Sequence, residues 1–323
     1  FQLIGDSAGT NSCVLSGYYL QTDDLVLTEY SADQVQGDFS GVYDGDHYEI
    51  ELGGTDSSGW ASGEDGAVRA GLFSKVTGIV KRLRLTGSML GDNNSQVAGS
   101  LVLDLFPGGL ISEVSSDVRF VNHESSAGLF FGGLVGSAWD GTRVQYSSYR
   151  GSIVRGPDAH TNQATVGGLV GRVNGRTGVT GRPEIIDSYS RVQLTYDRPV
   201  GTTTTDGDSN SRLYYGGIVG VLDSDSVTIV RSYSASSLSE TGELDESGVF
   251  HGGLVGWNLF RDLFSWSSFW LDSQTENAIG TNDTAYVRGG DQPDVYTDDS
   301  PGRPEAVPVS AAELSNLTTF QSA

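Results

Sequence analysis

The stretch GGLVG at 132–136 recurs three more times in this 323-residue chain, as GGLVG at 167–171, GGIVG at 216–220 and GGLVG at 252–256. Successive copies begin 35, 49 and 36 residues apart. Each copy is followed by a serine and an aromatic residue, at 148–149, 188–189, 232–233 and 268–269. A unit that recurs in this way is the sequence signature of a repeat protein, in which each repeat packs mainly against its neighbours. The repeats therefore decide the fold class.

The residues between these two marks have the pattern of short β-strands. Alternating runs rich in β-branched residues, at 192–196 and 227–231, are bounded by Gly, Asp and Ser clusters, which is typical of strands joined by turns. The Ser-aromatic mark divides the 35-residue step into 17 and 18 residues, each long enough for one coil. The 45 glycines suit the corners of such coils, since glycine lacks a Cβ. The sequence predicts an all-β chain, a parallel β-helix (β-solenoid) of about ten to twelve coils.

The same rhythm defines the expected domain organisation. The longest step carries a polar insertion, Tyr196 to Arg212, which predicts a protruding loop, and loops often carry function. Helical periodicity is almost absent and is best at Ala311 to Leu317. We expect a single β-solenoid domain over 1–323 with an aromatic-rich C-terminal cap. Its parts are an N-terminal capping segment, the coils and an irregular C-terminal closing segment, at 1–60, 61–275 and 276–323.

At these residues the chain resembles the GLUG-motif repeat surface proteins, an adhesin-like parallel β-helix family named for a Gly-Leu-aliphatic-Gly core. Phe39-Ser40-Gly41-Val42-Tyr43-Asp44-Gly45 is similar to the family's F-x-G-x-[FY]-D-G capping segment. Ser268-Phe269-Trp270 resembles its closing segment, which usually continues into a Trp-rich tail, so the parent chain is expected to extend beyond Ala323. The resemblance covers nearly the whole chain and implies the fold. It implies several roles, because the family occurs in adhesins, in surface layers and in non-catalytic parts of a metallopeptidase.

The charge balance narrows the range of partners. The formal net charge is −22, with 41 acidic residues against 19 basic ones, and only Lys75 and Lys81 are lysines. A nucleic-acid or anionic-membrane partner would need clustered Lys and Arg, so neither is expected. Strong acidity with few lysines favours a protein that stays soluble in a saline, halophilic habitat. A GC-rich genome that favours arginine is the alternative explanation.

Several further features bear on location. Cys13 is the single cysteine, so no disulfide framework is expected, and no stretch approaches the roughly 20 apolar residues of a membrane helix. The chain begins at Phe1 without an initiator methionine, which fits a processed segment whose signal peptide has been removed. We expect an extracellular or cell-surface location. Three N-x-Ser/Thr sequons are candidate glycosylation sites if the host glycosylates its surface proteins, at Asn93, Asn282 and Asn316.

Two catalytic motifs fail on their surroundings. Gly5-Asp6-Ser7-Ala8-Gly9 matches G-x-S-x-G, but a nucleophile elbow needs a strand before it and a helix after it, and only four residues precede this one. A zinc-peptidase motif needs two histidines flanking a glutamate, and His123-Glu124 is followed by Ala127 where the second histidine should stand. Four aspartates that fall on successive repeats are interpreted as turn residues, namely Asp104, Asp117, Asp140 and Asp187. The chain is therefore predicted not to be an enzyme.

Two groups of residues are candidate ligand sites. The insertion contains a candidate Ca²⁺ loop, because oxygen ligands alternate at Asp206, Asp208 and Asn210, with solvated turns as the alternative. The C-terminal repeats contain aromatic residues that offer faces for a sugar ring or a partner protein. A hydrophobic plug that caps the solenoid is the competing interpretation. The predicted ligand-binding residues of this group are Tyr214, Trp257, Trp266 and Trp270.

These features together predict a non-enzymatic extracellular surface module, an adhesin that presents or spaces a ligand-binding face. The expected partner is a glycan or a cell-surface ligand, with Ca²⁺ as the candidate cofactor. The alternative is a self-assembling structural subunit of an extracellular filament, surface layer or virion spike, whose partners are copies of itself. Open strand edges favour that alternative, because they template association unless they are capped. No nucleic acid and no direct membrane insertion are expected.

Overall fold

A computed structural model describes the parts of the chain that form strands and their connecting turns. They are residues 15–27, 35–53, 69–91, 97–124, 129–158, 164–175, 181–197, 213–223, 227–241, 249–259, 263–266, 268–271, 279–282, 295–296 and 307–309. In these residues all the regular structure is β-strand. None of them belongs to a helix long and apolar enough to cross a membrane. The weak helical signal at Ala311 to Leu317 lies outside the described residues.

The strands are short and follow one another closely along the chain. In chain order they are β1 (Tyr18–Leu20), β2 (Leu25–Leu27), β3 (Val35–Phe39), β4 (Val42–Asp44), β5 (Glu49–Leu52), β6 (Arg69–Ala70), β7 (Phe73–Val76), β8 (Ile79–Gly91), β9 (Val97–Gly99), β10 (Val102–Leu105), β11 (Leu110–Ser116), β12 (Arg119–Glu124), β13 (Leu129–Gly132), β14 (Val135–Trp139), β15 (Arg143–Gln145), β16 (Ser148–Tyr149), β17 (Ser152–Asp158), β18 (Ala164–Gly167), β19 (Val170–Asn174), β20 (Glu184–Ile186), β21 (Tyr189–Ser190), β22 (Gln193–Asp197), β23 (Leu213–Gly216), β24 (Val219–Leu222), β25 (Val227–Val230), β26 (Tyr233–Ser234), β27 (Ser237–Thr241), β28 (Val249–Gly252), β29 (Val255–Asn258), β30 (Leu263–Trp266), β31 (Phe269–Leu271), β32 (Ile279–Asn282), β33 (Val295–Tyr296) and β34 (Val307–Val309).

Three parallel sheets collect these strands, and the chain visits the sheets in turn. The six-stranded sheet runs β6-β9-β13-β18-β23-β28, and the eight-stranded sheet runs β3-β7-β10-β14-β19-β24-β29-β32. The remaining strands form a twenty-stranded sheet. Neighbours in each sheet pair in parallel, as β14 does with β19 and β18 with β23. The prediction of an all-β chain with parallel pairing is therefore confirmed.

The register shows how often the chain returns to the same sheet. Val135, Val170, Val219 and Val255, the fourth residues of the four pentapeptides, are register partners in the eight-stranded sheet. The Ser-aromatic marks lie instead in the twenty-stranded sheet. The prediction that each mark starts a separate coil is wrong, because one cycle through the three sheets spans a whole repeat. The eight-stranded sheet shows eight such visits among the described residues, fewer than the ten to twelve coils expected.

The pentapeptides form the corner between the six-stranded and eight-stranded sheets, where backbones approach closely. A Cβ on Gly167 would lie 2.5 Å from the backbone nitrogen of Gly220, the fifth residue of the next copy. Gly99 has the same relation to Gly136, also at 2.5 Å. Real Cβ atoms do not approach other atoms so closely, so only glycine fits at these positions. The third residue of each copy is fully buried in the core, at Leu134, Leu169, Ile218 and Leu254.

A second column of residues bends the backbone in the twenty-stranded sheet. In five successive repeats the residue at this bend is not glycine but has a positive φ of 46–56°, at Arg82, Glu113, Tyr146, Asp187 and Arg231. Positive φ is uncommon for residues with side chains, because the Cβ crowds the backbone. The strain recurs at the same register position, so it belongs to the design of the repeat rather than to one loop.

A ladder of buried serines follows this bend and satisfies its backbone. The hydroxyl oxygen of Ser188 accepts a hydrogen bond from the backbone N–H of Ser147 on the preceding strand, at 3.2 Å. The same hydroxyl donates to the carbonyl oxygen of Ile186, at 2.8 Å. Ser147 and Ser232 make the corresponding pairs of bonds. The serine of the repeated mark is thus a structural hydrogen-bonding residue.

The register also corrects the first copy of the mark. Ser148 pairs with Tyr189, and Tyr149 pairs with Ser190, so the equivalent of Ser188-Tyr189 is Ser147-Ser148. Tyr149 points into the core instead, fully buried, and its hydroxyl donates to the carbonyl oxygen of Val118 at 2.8 Å. Burial raises the pKa of this hydroxyl far above its usual value.

Substitution of a corner glycine tests the close approach of backbones. Gly216→Ala should lower the free energy of unfolding by about 3 kcal/mol or more, because the new Cβ would overlap the carbonyl oxygen of Val219 and the backbone nitrogen of Gly256. Denaturant titration measures the change. Gly17→Ala is the control, since its Cβ would meet only the movable end of the Tyr19 ring, at 3.0 Å. Equal losses in both variants would contradict the corner geometry.

Removing one hydroxyl tests the serine ladder. Ser188→Ala should destabilise the fold by about 1–3 kcal/mol, because a buried N–H loses its acceptor. Ser148→Ala is the matched control, because Ser148 is also buried but its hydroxyl has no hydrogen-bond partner among the described residues. Thermal or denaturant unfolding of the two variants compares them directly. A Ser148 variant as unstable as the Ser188 variant would rule the ladder out.

Candidate functional site

Two of the predicted ligand-binding residues meet on the outer side of the glycine corner. Tyr214 lies on β23 of the six-stranded sheet, and Trp257 lies on β29 of the eight-stranded sheet. Their rings are stacked with centroids 4.5 Å apart and planes 13° from parallel. The structure thus brings together side chains from two sheets that are 43 positions apart in sequence (257 − 214 = 43).

The glycine corner is what allows these rings to meet. A Cβ on Gly256, the residue before Trp257, would lie 2.7 Å from the backbone carbon of Tyr215. The two strands are therefore close enough at the corner for outward side chains of one sheet to cover those of the other. Phe250 extends the stack, because it is the register partner of Tyr214 and its ring lies 5.1 Å away. We call Tyr214, Phe250 and Trp257 the aromatic corner.

Exposure within the aromatic corner is unequal. Tyr214 is only 3% exposed, whereas Phe250 and Trp257 are half-buried. Tyr214 is therefore the buried ring against which the other two stack, and Phe250 and Trp257 present the surface that a ligand would meet. Flat aromatic faces of this kind bind apolar side chains, rings and the faces of proline residues.

Two repeats earlier, the position that corresponds to Trp257 is occupied by a cation, Arg172, instead of an aromatic ring. Arg172 occupies the register position of Val221, which is itself paired with Trp257. Its guanidinium carbon lies 4.8 Å from the centre of the Phe130 ring, a cation–π contact. Arg172 also forms an ion pair with Asp223. Thr165, beside these residues in the six-stranded sheet, is fully buried, and its hydroxyl has no hydrogen-bond partner among the described residues.

Sequence reasoning missed Phe130, Arg172 and Phe250, although a signal for them was present. Phe130, Tyr214 and Phe250 each stand two residues before the first glycine of a pentapeptide, and Arg172 and Trp257 each stand one residue after the last glycine. These two offsets define the two walls of the corner. Comparing side chains at fixed offsets from each pentapeptide would have grouped them.

The other two predicted tryptophans do not belong to this site. Trp266 ends β30 and Trp270 lies on β31, both in the twenty-stranded sheet, where they pair with Val230 and Ser234. The set of four predicted ligand-binding residues therefore divides between two sheets. The four residues had been grouped from the sequence because all of them lie in the C-terminal repeats.

Most of the predicted metal and glycosylation positions cannot be placed. Asp206, Asp208 and Asn210, with most of the insertion that carries them, lie outside the described residues, as do Asn93 and Asn316. Asn282 ends β32, in register with Asn258. In the described part of the chain, no three His, Cys, Asp or Glu side chains are grouped so as to hold a metal ion.

Acidic residues at two of the described turns, Asp44 and Asp223, form ion pairs with arginines of the same chain. The carboxylate of Asp44 is fully buried and accepts hydrogen bonds from Nε and Nη2 of Arg82, at 2.8 and 2.6 Å. Lys81 lies 3.2 Å from it, and the hydroxyl of Tyr18 donates to it at 3.0 Å. The Arg82 guanidinium is the main cause that holds the pKa of Asp44 well below its usual range. Asp223 is likewise paired, with Arg172.

Comparisons with known proteins show a likeness in fold. No protein-family profile matches the chain, and no curated protein sequence matches it. The structure of a Bacteroides ovatus protein provisionally named an immunoglobulin A1 protease is similar to this chain, with a TM-score of 0.55 and 17% sequence identity. The match covers 93% of this chain and 79% of that protein. A protein named IgA1 protease matches 75% of this chain with a TM-score of 0.51 and 22% identity, but this chain covers only 16% of that protein.

These comparisons correct two predictions from the sequence. The prediction of a non-enzymatic adhesin module, with a self-assembling structural subunit as its alternative, is contradicted, because the similar folds carry the names of proteases. The prediction that the chain is not an enzyme is contradicted on the same ground. That prediction had rested on two catalytic motifs and on four aspartates interpreted as turn residues, and these do not cover every class of peptidase.

The buried Asp44 predicts how stability depends on pH. Its pKa is lower in the folded than in the unfolded chain, so its contribution to stability is complete above the usual value of about 4 and is lost as the pH falls. Asp44→Asn should cost about 2 kcal/mol at pH 7, because a charge-assisted hydrogen bond is lost. The variant should also flatten the fall in unfolding free energy below about pH 5.

Denaturant titrations across pH 3–7 measure this slope. Asp38→Asn is the control, because Asp38 is 58% exposed, with Lys75 2.5 Å away, and surface ion pairs contribute little. The control should keep the slope of the original protein. A slope unchanged by Asp44→Asn would contradict the role of this carboxylate.

Proposed function

We propose that this chain takes part in proteolysis as a β-solenoid portion of a protein of the IgA1-protease type. The observation that carries the proposal is the fold likeness to the Bacteroides ovatus protein, which extends over 93% of this chain and 79% of that one. Because the match covers most of both chains, it favours a shared module rather than a chance match of a few strands. The substrate class we propose is the one in the neighbours' names, immunoglobulin A1.

The finer architecture is part of this proposal. We infer that each cycle through the three sheets is one coil of a parallel β-solenoid, with the glycine pentapeptide at one corner and the serine ladder on another side. The parallel pairing and the constant register of Val135, Val170 and Val219 support this arrangement. The insertion at 196–212 would then leave one coil as a loop, and the aromatic residues of the last coils would cover its end. The GLUG resemblance is consistent with this reading.

The aromatic corner is proposed to contact the substrate. Trp257 and Phe250 are half-buried at the outer surface, and each is stacked on the buried ring of Tyr214. A rigid ring pair of this kind binds an extended polypeptide with little loss of side-chain freedom, because the rings are already held in place. In this proposal the corner positions a segment of the substrate for cleavage.

The same substrate sets the proposed location. Immunoglobulin A1 is a secreted protein, so a chain that acts on it works outside the cell or at its surface. The net charge of −22 is compatible with that setting, since it keeps an exposed protein soluble and discourages unspecific contact with anionic surfaces. The partner proposed here is thus a protein substrate.

An assay with purified immunoglobulin A1 tests this function. The chain should cleave immunoglobulin A1, seen as fragments on a denaturing gel, or bind it in biolayer interferometry, and it should do neither with immunoglobulin G. Trp257→Ala should weaken binding or slow cleavage about tenfold, because interface tryptophans are frequent hot spots. No cleavage and no binding would overturn the proposed function.

Trp139→Ala is the matched control for the aromatic corner. Trp139 is a half-buried tryptophan at the end of β14, stacked on Phe106 at 5.1 Å, and lies three strands from Trp257 in the same sheet. Its loss should leave the interaction with immunoglobulin A1 within about twofold of the original. Equal effects of both substitutions would remove the aromatic corner from the proposal.

A further inference from the structure

A second surface, on the twenty-stranded sheet, combines tyrosine rings with arginines. Tyr189 and Tyr233 are register partners on β21 and β26, and their rings are stacked 5.0 Å apart with planes only 4° from parallel. Arg191 follows β21, and Arg150 follows β16, the strand that neighbours β21. We call Arg150, Tyr189, Arg191 and Tyr233 the Tyr–Arg platform.

The two arginines of the platform occupy the same register position on neighbouring strands. The backbone N–H of Arg150 donates to the carbonyl oxygen of Ser116, and that of Arg191 donates to the carbonyl oxygen of Tyr149, both at 2.8 Å. Their backbones are thus about 4.8 Å apart, the spacing of paired strands. Both side chains are exposed. Like charges at directly opposed positions are unfavourable unless an anion lies between them.

Among the described residues, only Arg150 of these two arginines has an anionic partner. Nη2 of Arg150 lies 3.1 Å from a carboxylate oxygen of Asp117. In the part of the chain that the structure describes, Arg191 makes no ion pair. Two further exposed arginines of the same sheet are paired, Arg231 with Asp187 and Arg143 with Glu184. In a chain of net charge −22, two adjacent exposed guanidiniums, one of them without an ion pair among the described residues, are a local exception.

The charges of both arginines act on the hydroxyl of Tyr233. Burial raises the pKa of the Tyr233 hydroxyl, and the neighbouring Tyr189 raises it further. Arg150 and Arg191 act in the opposite direction, because their positive charges favour the ionised phenol. Arg191 stands two residues after Tyr189, and Arg150 holds the same register position on the neighbouring strand, so the cations and the ring pair lie at one place on the sheet.

We propose that the Tyr–Arg platform binds an acidic polypeptide segment. A carboxylate of the segment lies between Arg150 and Arg191, and a neighbouring apolar side chain packs against the stacked rings of Tyr189 and Tyr233. Arginine guanidiniums bind carboxylates through paired hydrogen bonds, and tyrosine and arginine are among the residues enriched at interface hot spots. The inference rests on the proposed function, since the segment would belong to the protein substrate, and it gives the chain a second contact apart from the aromatic corner.

A peptide-binding assay tests the platform without any immunoglobulin. The probe is a fluorescein-labelled heptapeptide of sequence GELGELG, and its counterpart GQLGQLG replaces both glutamates. Fluorescence anisotropy at 50 mM NaCl should show the glutamate peptide binding at least about tenfold more tightly than the glutamine peptide. Binding of the glutamate peptide should weaken at 300 mM NaCl, because salt screens exposed charges.

Two arginine substitutions decide which residues hold the peptide. Arg191→Ala should reduce the affinity for GELGELG about tenfold, whereas Arg143→Ala, which removes an exposed arginine already paired with Glu184, should leave it within about twofold. Both side chains are exposed, so both variants should keep the melting temperature of the original protein. Equal affinities for the two peptides, or equal effects of the two substitutions, would overturn the platform.

The two proposals fail in distinguishable ways. If GELGELG binds as expected while immunoglobulin A1 is neither cleaved nor bound, the platform stands as an acidic-peptide site and the proposed substrate is wrong. If immunoglobulin A1 is cleaved or bound while the two peptides bind equally, the proteolytic role stands and the platform is overturned.

Discussion

The close approach of backbones at the glycine corner is the constraint on which the rest of this structure depends. The first glycine of one pentapeptide lies against the fifth glycine of the next, as Gly167 lies against Gly220. Each copy therefore fixes its neighbour's distance and register, because a side chain at either position would force the strands apart. The buried third residue, such as Leu169, then fills the core at the same depth in every repeat.

That constraint also shapes the outer surface. With no side chains in the corner itself, outward residues of two sheets reach each other, and this is how Tyr214 comes to stack on Trp257. In the twenty-stranded sheet, a residue with positive φ precedes each ladder serine. The residues that follow Ser188 include Tyr189, whose ring stacks on Tyr233, and Arg191. Neighbouring repeats thus produce two outward surfaces of different chemistry, one aromatic and one that combines tyrosine rings with arginines.

The sequence predicted the strands, the parallel pairing and the role of glycine, because these depend on local pattern. It did not predict how many residues one cycle through the three sheets takes, because the Ser-aromatic mark was interpreted as the start of a second coil within each repeat. Only the register shows that Ser188 forms a hydrogen-bond ladder with Ser147. The ion pair of Asp44 with Arg82 was missed for the same reason, because it joins residues of adjacent strands whose alignment no single repeat reveals.

Deleting a defined length of chain tests most directly the claim that one full turn, meaning one cycle of the chain through the three sheets, spans one whole repeat. Removal of residues 132–166 would join Phe131 to Gly167, the register partner of Gly132, and so would take out one complete turn. Circular dichroism and denaturant titration should show a folded, cooperative protein, because the remaining repeats keep their neighbours. Removal of 132–148 would take out half a turn and should abolish cooperative unfolding. A folded half-turn variant beside an unfolded whole-turn variant would contradict the account.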